Sequence, residues 1–425
     1  MGNDQPARTD LTRTTMPVTP HPESAPSLPQ AEVRRLDDAA ARLVDVATRS
    51  LDPAGGFGWL DDAGRVTPGR PAETWVTCRM THTFALAHLH GDARAADLVD
   101  HGVQALRTTL HDDRHGGWLS VAGKQDGGKE AYAHAFVVLA AASATGMGHP
   151  DGRALLDDAL GVMADRFWDE NEGLVVDQWD ASWTRLDPYR GVNANMHTVE
   201  SFLAAADVTG DRVWLDRATR VLTRVVDGFA RSHDWRLPEH FDEQWRPMLD
   251  HNVDDPGHPF QPYGVTIGHL IEWSRLSLHV ATALGDEAPA WIPGAARALY
   301  AAGVQRGWDV DGAPGFVYTT DFEDRPVVRE RMHWVVAEAI AAAWTLHRAT
   351  GDAAYADDYT RWWAYAVQHL VDDRDGSWRH ELDEHNEPSS RVWSGRPDVY
   401  HAYQATVLPL MREAASFIGA ARGGW

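Results

Sequence analysis

Two kinds of punctuation alternate along this chain, and together they constrain its shape more than any other feature. One is a Gly-Asp step, at Gly91-Asp92, Gly210-Asp211, Gly285-Asp286 and Gly351-Asp352, with a looser Gly146 to Asp151 stretch where another is due. Each separates two Ala- and Leu-rich helical runs; the glycine suits the left-handed position that ends one helix, and the aspartate suits the cap of the next. The other is a longer loop of Asp, Gly and aromatic residues: Asp52 to Leu60, Asp112 to Leu119, Asp169 to Trp179, Asp234 to Trp245, Asp309 to Tyr318 and Asp372 to Leu382. Such loops favour small hairpins. The pattern recurs at intervals of roughly 55 to 80 residues, the signature of a repeated supersecondary unit.

Twelve helical segments lie between these markers, near residues 31–50, 73–90, 93–110, 130–146, 151–167, 193–209, 211–231, 264–284, 288–306, 331–350, 352–371 and 398–419. Segments after the long loops carry Trp, Tyr, His, Asn, Glu and Gln near their starts, whereas those after the Gly-Asp steps have the one-sided polarity of surface helices. A helix flanked by neighbours and backed by an outer layer must face its polar first turns to a central cavity, or leave them unpaired at about 1 to 3 kcal/mol each. The expected fold is therefore all-α: an (α/α)6 barrel, six helix pairs closed into a toroid, with the long loops and the site at one end. An open solenoid would need polar capping repeats, and neither terminal pair differs enough from the middle ones. Residues 1–30, where Pro6, Pro17, Pro20, Pro22, Pro26 and Pro29 stand among Thr, Ser and charges, read as a disordered tail. Residues 31–425 read as one catalytic barrel.

Composition narrows the partners. The charge is 39 Lys+Arg against 62 Asp+Glu, a net −23 spread along the chain, so nucleic acid is repelled and no basic stripe offsets this. No stretch approaches 18 uninterrupted apolar residues, and the first 30 lack the apolar core of a secretion signal, so no membrane association is expected. Cys78 is the only cysteine; neither a disulfide nor a thiolate metal cluster can form, and a reducing, cytoplasmic setting follows. The chain also holds 19 Trp, which either fill the core or offer an aromatic wall to the apolar face of a sugar ring.

The first turns of the inner helices read, in order, Trp75 and Arg79; Tyr132; Asn193, His197 and Glu200; His269 and Glu272; His333, Trp334 and Glu338; His401 and Gln404. Spacings of three or four residues put Asn193 with His197, His269 with Glu272, and Trp334 with Glu338 on common helix faces. His269 and His401 stand out, because imidazole both gives and takes protons near neutral pH, and Arg79 suits an oxygen that gains negative charge. His197-x-x-Glu200 and His269-x-x-Glu272 resemble halves of a dimetal carboxylate site, but the facing helices supply Arg79, Tyr132 and Gln404 instead of bridging carboxylates, so no metal is expected. Glu272 and Glu338 allow a glycosidase reading, to which several inward histidines add little. GxSxG, P-loop, HExxH and a strand-linked GxGxxG are missing from the sequence, and no cofactor is expected.

WVTCRM at Trp75 to Met80, KEAYAHAF at Lys129 to Phe136, NANMHTVE at Asn193 to Glu200, GHLIEW at Gly268 to Trp273, RMHWVVAEAI at Arg331 to Ile340 and GRPDVYHAYQATVLP at Gly395 to Pro409 resemble the N-acylglucosamine 2-epimerase superfamily. Within it they are most similar to the branch of mannose and sulfoquinovose isomerases, from about Trp59 to Leu410. The resemblance implies aldose-ketose isomerisation through an enediol or enediolate, interconverting D-mannose and D-fructose, with D-lyxose and D-xylulose as a further pair. It implies His401 as the base that moves the proton between C2 and C1, and His269 as the acid/base for ring opening and the oxygen proton. His197 and Arg79 would stabilise the intermediate, and Trp75, Tyr132, Asn193, Glu272, Trp334 and Glu338 would line the sugar site. Sugar 2-epimerisation of the cellobiose or N-acylglucosamine type, sulfoquinovose isomerisation and a non-catalytic carbohydrate-binding protein are the alternatives. A sulfonate would need a further cation, for which only loop residues such as Arg236, His240 and His380 are available. The expected partner is a free monosaccharide, and the chain would act as a monomer or homo-oligomer.

Overall fold

A computed structural model describes residues 28–425, so the expected tail over 1–30 lies, but for its last three residues, outside the described residues. The helices are α1 (Gln30–Ala47), α2 (Thr74–Leu89), α3 (Ala95–Arg107), α4 (Ala131–Gly146), α5 (Gly152–Val162), α6 (Val192–Thr209), α7 (Arg212–Leu222), α8 (Ile267–Leu284), α9 (Ile292–Gly307), α10 (His333–Thr350), α11 (Ala353–Tyr365), α12 (Tyr400–Val407) and α13 (Phe417–Arg422). Helices α2, α4, α6, α8, α10 and α12 pack each on the next, and α12 returns to α2. Behind them α3 covers α2, α5 covers α4, α7 covers α6, α9 covers α8 and α11 covers α10, while α1 covers α12. This is the expected double ring, with its sixth pair made from the first helix and the last inner one.

The two rings differ in the way the sequence pattern requires. Every residue of α2 from Thr74 to Ala87 is buried, whereas α3 buries a stripe of Ala95, Val99, Gly102, Val103, Ala105 and Leu106. An inner helix is thus enclosed on all sides and an outer one on a single face. The Gly-Asp turns behave locally as expected at two clear sites. Gly210 and Gly351 take φ of 72° and 69°, and the side chains of Asp211 and Asp352 accept from the backbone N–H of Val213 and Ala354. The Gly285-Asp286 step departs from this: residues Gly285–Glu287 form a 3-10 turn, and α9 starts only at Ile292, with Pro293 in its first turn, where its missing N–H costs nothing.

The long loops are stitched to the ring by one rule. Residues just before each inner helix pair with the long loop that follows the next outer helix: Glu73 with Val121, Lys129–Glu130 with Gln178–Trp179, Arg190–Gly191 with His240–Phe241, Val265–Thr266 with Thr319–Thr320, and Arg331–Met332 with Glu381–Leu382. The sixth link closes the circle, joining Arg396, before α12, to Leu60 in the loop between α1 and α2. Each first turn that faces the cavity is therefore held on both sides.

The last inner helix is shorter than expected. In place of one helix over 398–419, α12 stops at Val407, a 3-10 turn covers Leu408–Leu410, and α13 starts at Phe417. Pro409 explains the stop: it has no N–H to donate, and its ring collides with the carbonyl four residues back. The released segment crosses the far end of the barrel, where α13 packs against α2, α4 and α6.

Candidate active site

At the end carrying the long loops lies a cavity open to solvent, about 670 Å³ counting the space at its open mouth. Trp75, Arg79, Tyr132, Asn193, His197, His269, Glu272, Trp334 and His401 all line it. Glu338 does not. It lies one layer deeper, its Oε1 accepting from Nδ1 of His401 at 3.0 Å and its Oε2 from Nε of Arg275 at 2.7 Å. The wall also holds Phe260, Tyr318, His380, Trp393 and Asp398, which come from loops and which helix periodicity did not single out, together with His333, which it placed in an inner first turn without giving it a role in the sugar site.

Trp334 lies next to both imidazoles of interest, its ring centre 5.2 Å from that of His269 and 5.8 Å from that of His401. Gly268 makes this possible, since a Cβ there would lie 2.3 Å from the Trp334 ring. Both histidines turn Nδ1 to a carboxylate. His401 donates to Glu338, and His269 Nδ1 lies 3.0 Å from Glu239 Oε2 but out of line for a hydrogen bond. A third pair repeats the pattern, with His197 Nδ1 3.3 Å from Glu200 Oε2. In each case Nε2 is left as the free ring nitrogen, and the carboxylate favours the imidazolium that proton abstraction creates.

Beneath these groups Arg275 is the organising charge. It is 1% exposed, bonds Glu338 and approaches Glu272 Oε1 at 3.5 Å. Burial opposes both carboxylates, but Arg275 and His401 hold Glu338 down to about 2, whereas burial and the Glu338 charge push Glu272 well above the usual carboxylate range. The protonated form of Glu272 is thereby favoured, and in that form it can donate to a sugar oxygen. Glu200, also held below its ordinary value, accepts from Tyr400 Oη and from Gln404 Nε2 at 3.0 Å. Gln404 lies 3.2 Å from His82 Nε2.

Burial works against the Arg79 charge, but Tyr132, Asp398 and Tyr400 around it keep the guanidinium firmly protonated. Its Nη2 donates to Tyr132 Oη at 2.9 Å and its Nη1 to Asp398 at 3.3 Å, and it lies over the rings of Phe136, Tyr400 and Trp75. His401 is lowered by burial against the pull of Glu338, and His197 is brought down to about 4 by burial. Both imidazoles are neutral at pH 7 and ready to accept a proton.

Two groups could be read as metal sites: His197 with Glu200 and Glu272, and Glu272 with Glu338 and His401, their ligand atoms lying within 4.8 Å of one another. The charge of the second is already met by Arg275, which bonds Glu338 directly, and Tyr400 and Gln404 occupy the oxygens of Glu200. His269, which the dimetal reading paired with Glu272, faces Glu239 instead. The donor set fits a hydrogen-bonded proton-transfer site better than a divalent ion, because a guanidinium next to the ligands repels the metal.

The buried histidines also set an acid limit on stability. His82, His197 and His240 are held down to about 4, and His134, His279 and His333 to about 3, all by burial. An unfolded chain protonates them near 6.5, so below that pH it binds more protons than the folded one. Stability present above pH 6.5 is lost as pH falls towards 4. Carboxyls raised by burial, Asp177 to about 8 foremost, act in the opposite sense but are fewer. The denaturant midpoint is expected to fall steadily between pH 7 and pH 4.5; a flat profile would contradict these assignments.

Residues 55–405 match the family model of N-acylglucosamine 2-epimerase (GlcNAc 2-epimerase). A D-mannose isomerase of Thermobifida fusca is 53% identical over 390 residues, which span 91% of this chain and 96% of the relative. A D-mannose isomerase of Pseudomonas cannabina pv. alisalensis is 48% identical over 375 residues, 87% of this chain and 90% of the relative. Among solved structures, a crystal structure of D-mannose isomerase aligns with a TM-score of 0.83 at 28% identity, covering 90% of this chain and 99% of that one. The cellobiose 2-epimerase of Spirochaeta thermophila DSM 6192 aligns with a TM-score of 0.76 at 22% identity over 90% of this chain and 97% of that one, a likeness of fold.

Proposed function

Because the chain belongs to the N-acylglucosamine 2-epimerase family, we propose that it is an aldose-ketose isomerase that interconverts D-mannose and D-fructose, with D-lyxose and D-xylulose as a second pair, without a metal ion. The observation that carries this reading is the pair His401 and His269, both next to Trp334, each with a carboxylate at Nδ1 and a free Nε2. The names of the relatives at 53% and 48% identity support mannose as the aldose.

In this reading the open-chain aldose lies against Trp334. His401 Nε2 takes the C2 proton, and the electron pair moves through the C1–C2 bond to O1, giving an enediolate. Arg79 holds the developing oxyanion, His197 stands beside it with Nδ1 turned to Glu200, and Glu272 donates to a sugar oxygen. His269 opens the ring and carries the hydroxyl proton, so that O1 gains a hydrogen as O2 gives one up. His401 returns its proton to C1, which completes the ketose. Glu338 stabilises the His401 imidazolium during the interval, and because the aldehyde makes C2–H only weakly acidic, base and oxyanion partners must act together.

Sulfoquinovose fits less well. Arg236 is tied to Asp324 at 2.9 and 2.6 Å, His240 to Tyr189 and Pro262, and burial keeps His380 neutral. Among the described residues in the cavity wall, Arg79 is the one Arg or Lys. A free monosaccharide as sole partner, action as a monomer or homo-oligomer, and a cytoplasmic setting complete the reading; the last rests on the single, buried Cys78. No helix of the described residues is long and apolar enough to cross a membrane.

Incubation of the protein with D-mannose in EDTA, followed by NMR or chromatography, tests the proposal. Fructose is expected at undiminished rate. Ketose formation that stops with chelator and returns with Mn2+ would defeat the metal-free route, and no ketose from any free aldose would defeat isomerisation.

A further inference from the structure

Besides His380, four imidazoles stand in the cavity wall: His197, His269, His333 and His401. The first, second and fourth have a carboxylate at Nδ1 and are equipped to hold a proton. His333 is built differently. Its Nδ1 lies 3.2 Å from the backbone carbonyl oxygen of His380, and because a carbonyl only accepts, Nδ1 carries the hydrogen. The ring is stacked on that of His380, with centres 3.7 Å apart and 23° between planes, and His380 Nε2 in turn donates to the carbonyl of Asp398 at 3.0 Å.

Burial, helped by His401 and Arg79 on the same wall and only partly opposed by Asp398, holds the His333 imidazole down to about 3. Nε2 is then a bare lone pair. It is buried and has no partner among the described residues, an arrangement that is unfavourable unless a ligand completes it. No group named in the mechanism above uses it.

We infer that His333 reads one spectator hydroxyl of the sugar, its Nε2 accepting the O–H of a hydroxyl that takes no part in the proton transfer. The inference rests on the sugar-isomerase reading above and adds a specificity-determining residue to it. A lone pair repels a developing oxyanion, so this nitrogen does not suit O1, and the O2 proton is already taken by His269. It suits a hydroxyl that keeps its proton throughout. The rings of His333 and His401 are 6.4 Å apart, which places that hydroxyl close to the carbon that His401 serves. A site built around such a bond rejects an analogue that lacks the hydroxyl, because the acceptor stays unpaired.

Two variants test this. His333→Phe keeps an aromatic ring against His380 but has no acceptor, while His333→Gln can bring its amide oxygen close to the place of Nε2. D-Mannitol, which carries the hydroxyls and no carbonyl, is titrated calorimetrically against each, and D-mannose is compared with its 3-, 4- and 6-deoxy forms as substrates. Mannitol affinity is expected to fall about tenfold in the Phe variant and to stay within about threefold of wild type in the Gln variant, the scale of one neutral hydrogen bond. One deoxy sugar should show a raised KM with kcat retained in wild type, and lose that handicap in the Phe variant. Equal mannitol affinity in wild type and Phe variant, or none measurable in either, overturns the inference, as does the same penalty for every deoxy sugar in both proteins. Mannitol binding that depends on His333 in a protein that makes no ketose would uphold this role and remove only the isomerase reading.

Discussion

Replacing His401 with alanine is expected to lower kcat at least about 10²-fold, within the 10² to 10⁴ range of general acid/base catalysis, while leaving the helical content unchanged. His401 is positioned from α12, with Glu338 behind it and Trp334 beside it, so its loss empties one side of the cavity without opening the ring of helices. His269→Ala should show a loss of the same order. The two differ in isotope behaviour. With D-mannose in D2O, residual product from the His269 variant still carries solvent-derived or transferred hydrogen at C1, whereas the His401 variant ceases to exchange the C2 hydrogen. Turnover within about threefold of wild type in both variants would remove these residues from the chemistry.

Arg275→Met is expected to have the largest effect on stability. The guanidinium is enclosed between Glu338 and Glu272 and bonded to the former at 2.7 Å; removing it leaves a buried carboxylate uncompensated, at about 3 to 5 kcal/mol. The cost arises from the orphaned charge more than from the lost bond. Adding Glu338→Gln to the same chain should therefore recover part of the stability, although it deprives His401 of its partner and activity stays low. Denaturant midpoints of the single and double variants measure this. A single variant within about 1 kcal/mol of wild type, or a double variant that is less stable than the single, would show that Arg275 is not the balancing charge.

The layout of the rings was legible because its signals are local. A glycine that must turn left-handed and an aspartate that caps the next helix act within a few residues, so Gly210-Asp211 and Gly351-Asp352 mark their turns without reference to the rest of the chain. The first turns of the inner helices were legible for a related reason: polar side chains three or four residues apart on an otherwise buried helix need a common space to face. Asp398, His380, Phe260 and Trp393 lacked that support, because they reach the cavity from loops with no period. Glu239 likewise meets His269 only through the pairing of His240–Phe241 with Arg190–Gly191. Arg275 sits in the interior of α8, where a charged residue gives no local sign of its partner. The available clue was indirect. Glu200, Glu272 and Glu338 on three neighbouring inner helices cannot all be buried without a cation, and α8 carries one three residues after Glu272. Glu338 was expected in the cavity wall, and its place behind His401 reflects the same accounting of charge.

The pairing of α1 with α12 has a consequence for how the molecule comes into being. The apolar stripe of α1, with Leu36, Ala40, Leu43, Val44 and Ala47, leaves the ribosome ahead of the other helices of the barrel, yet the inner helix that covers it is the last of its ring to be synthesised. Five hairpins can assemble as they emerge, each on the one before, while the opening helix waits with its greasy side bare and available to chaperones or to other nascent chains. The weakness of this architecture lies in the order of its manufacture, not in the finished circle.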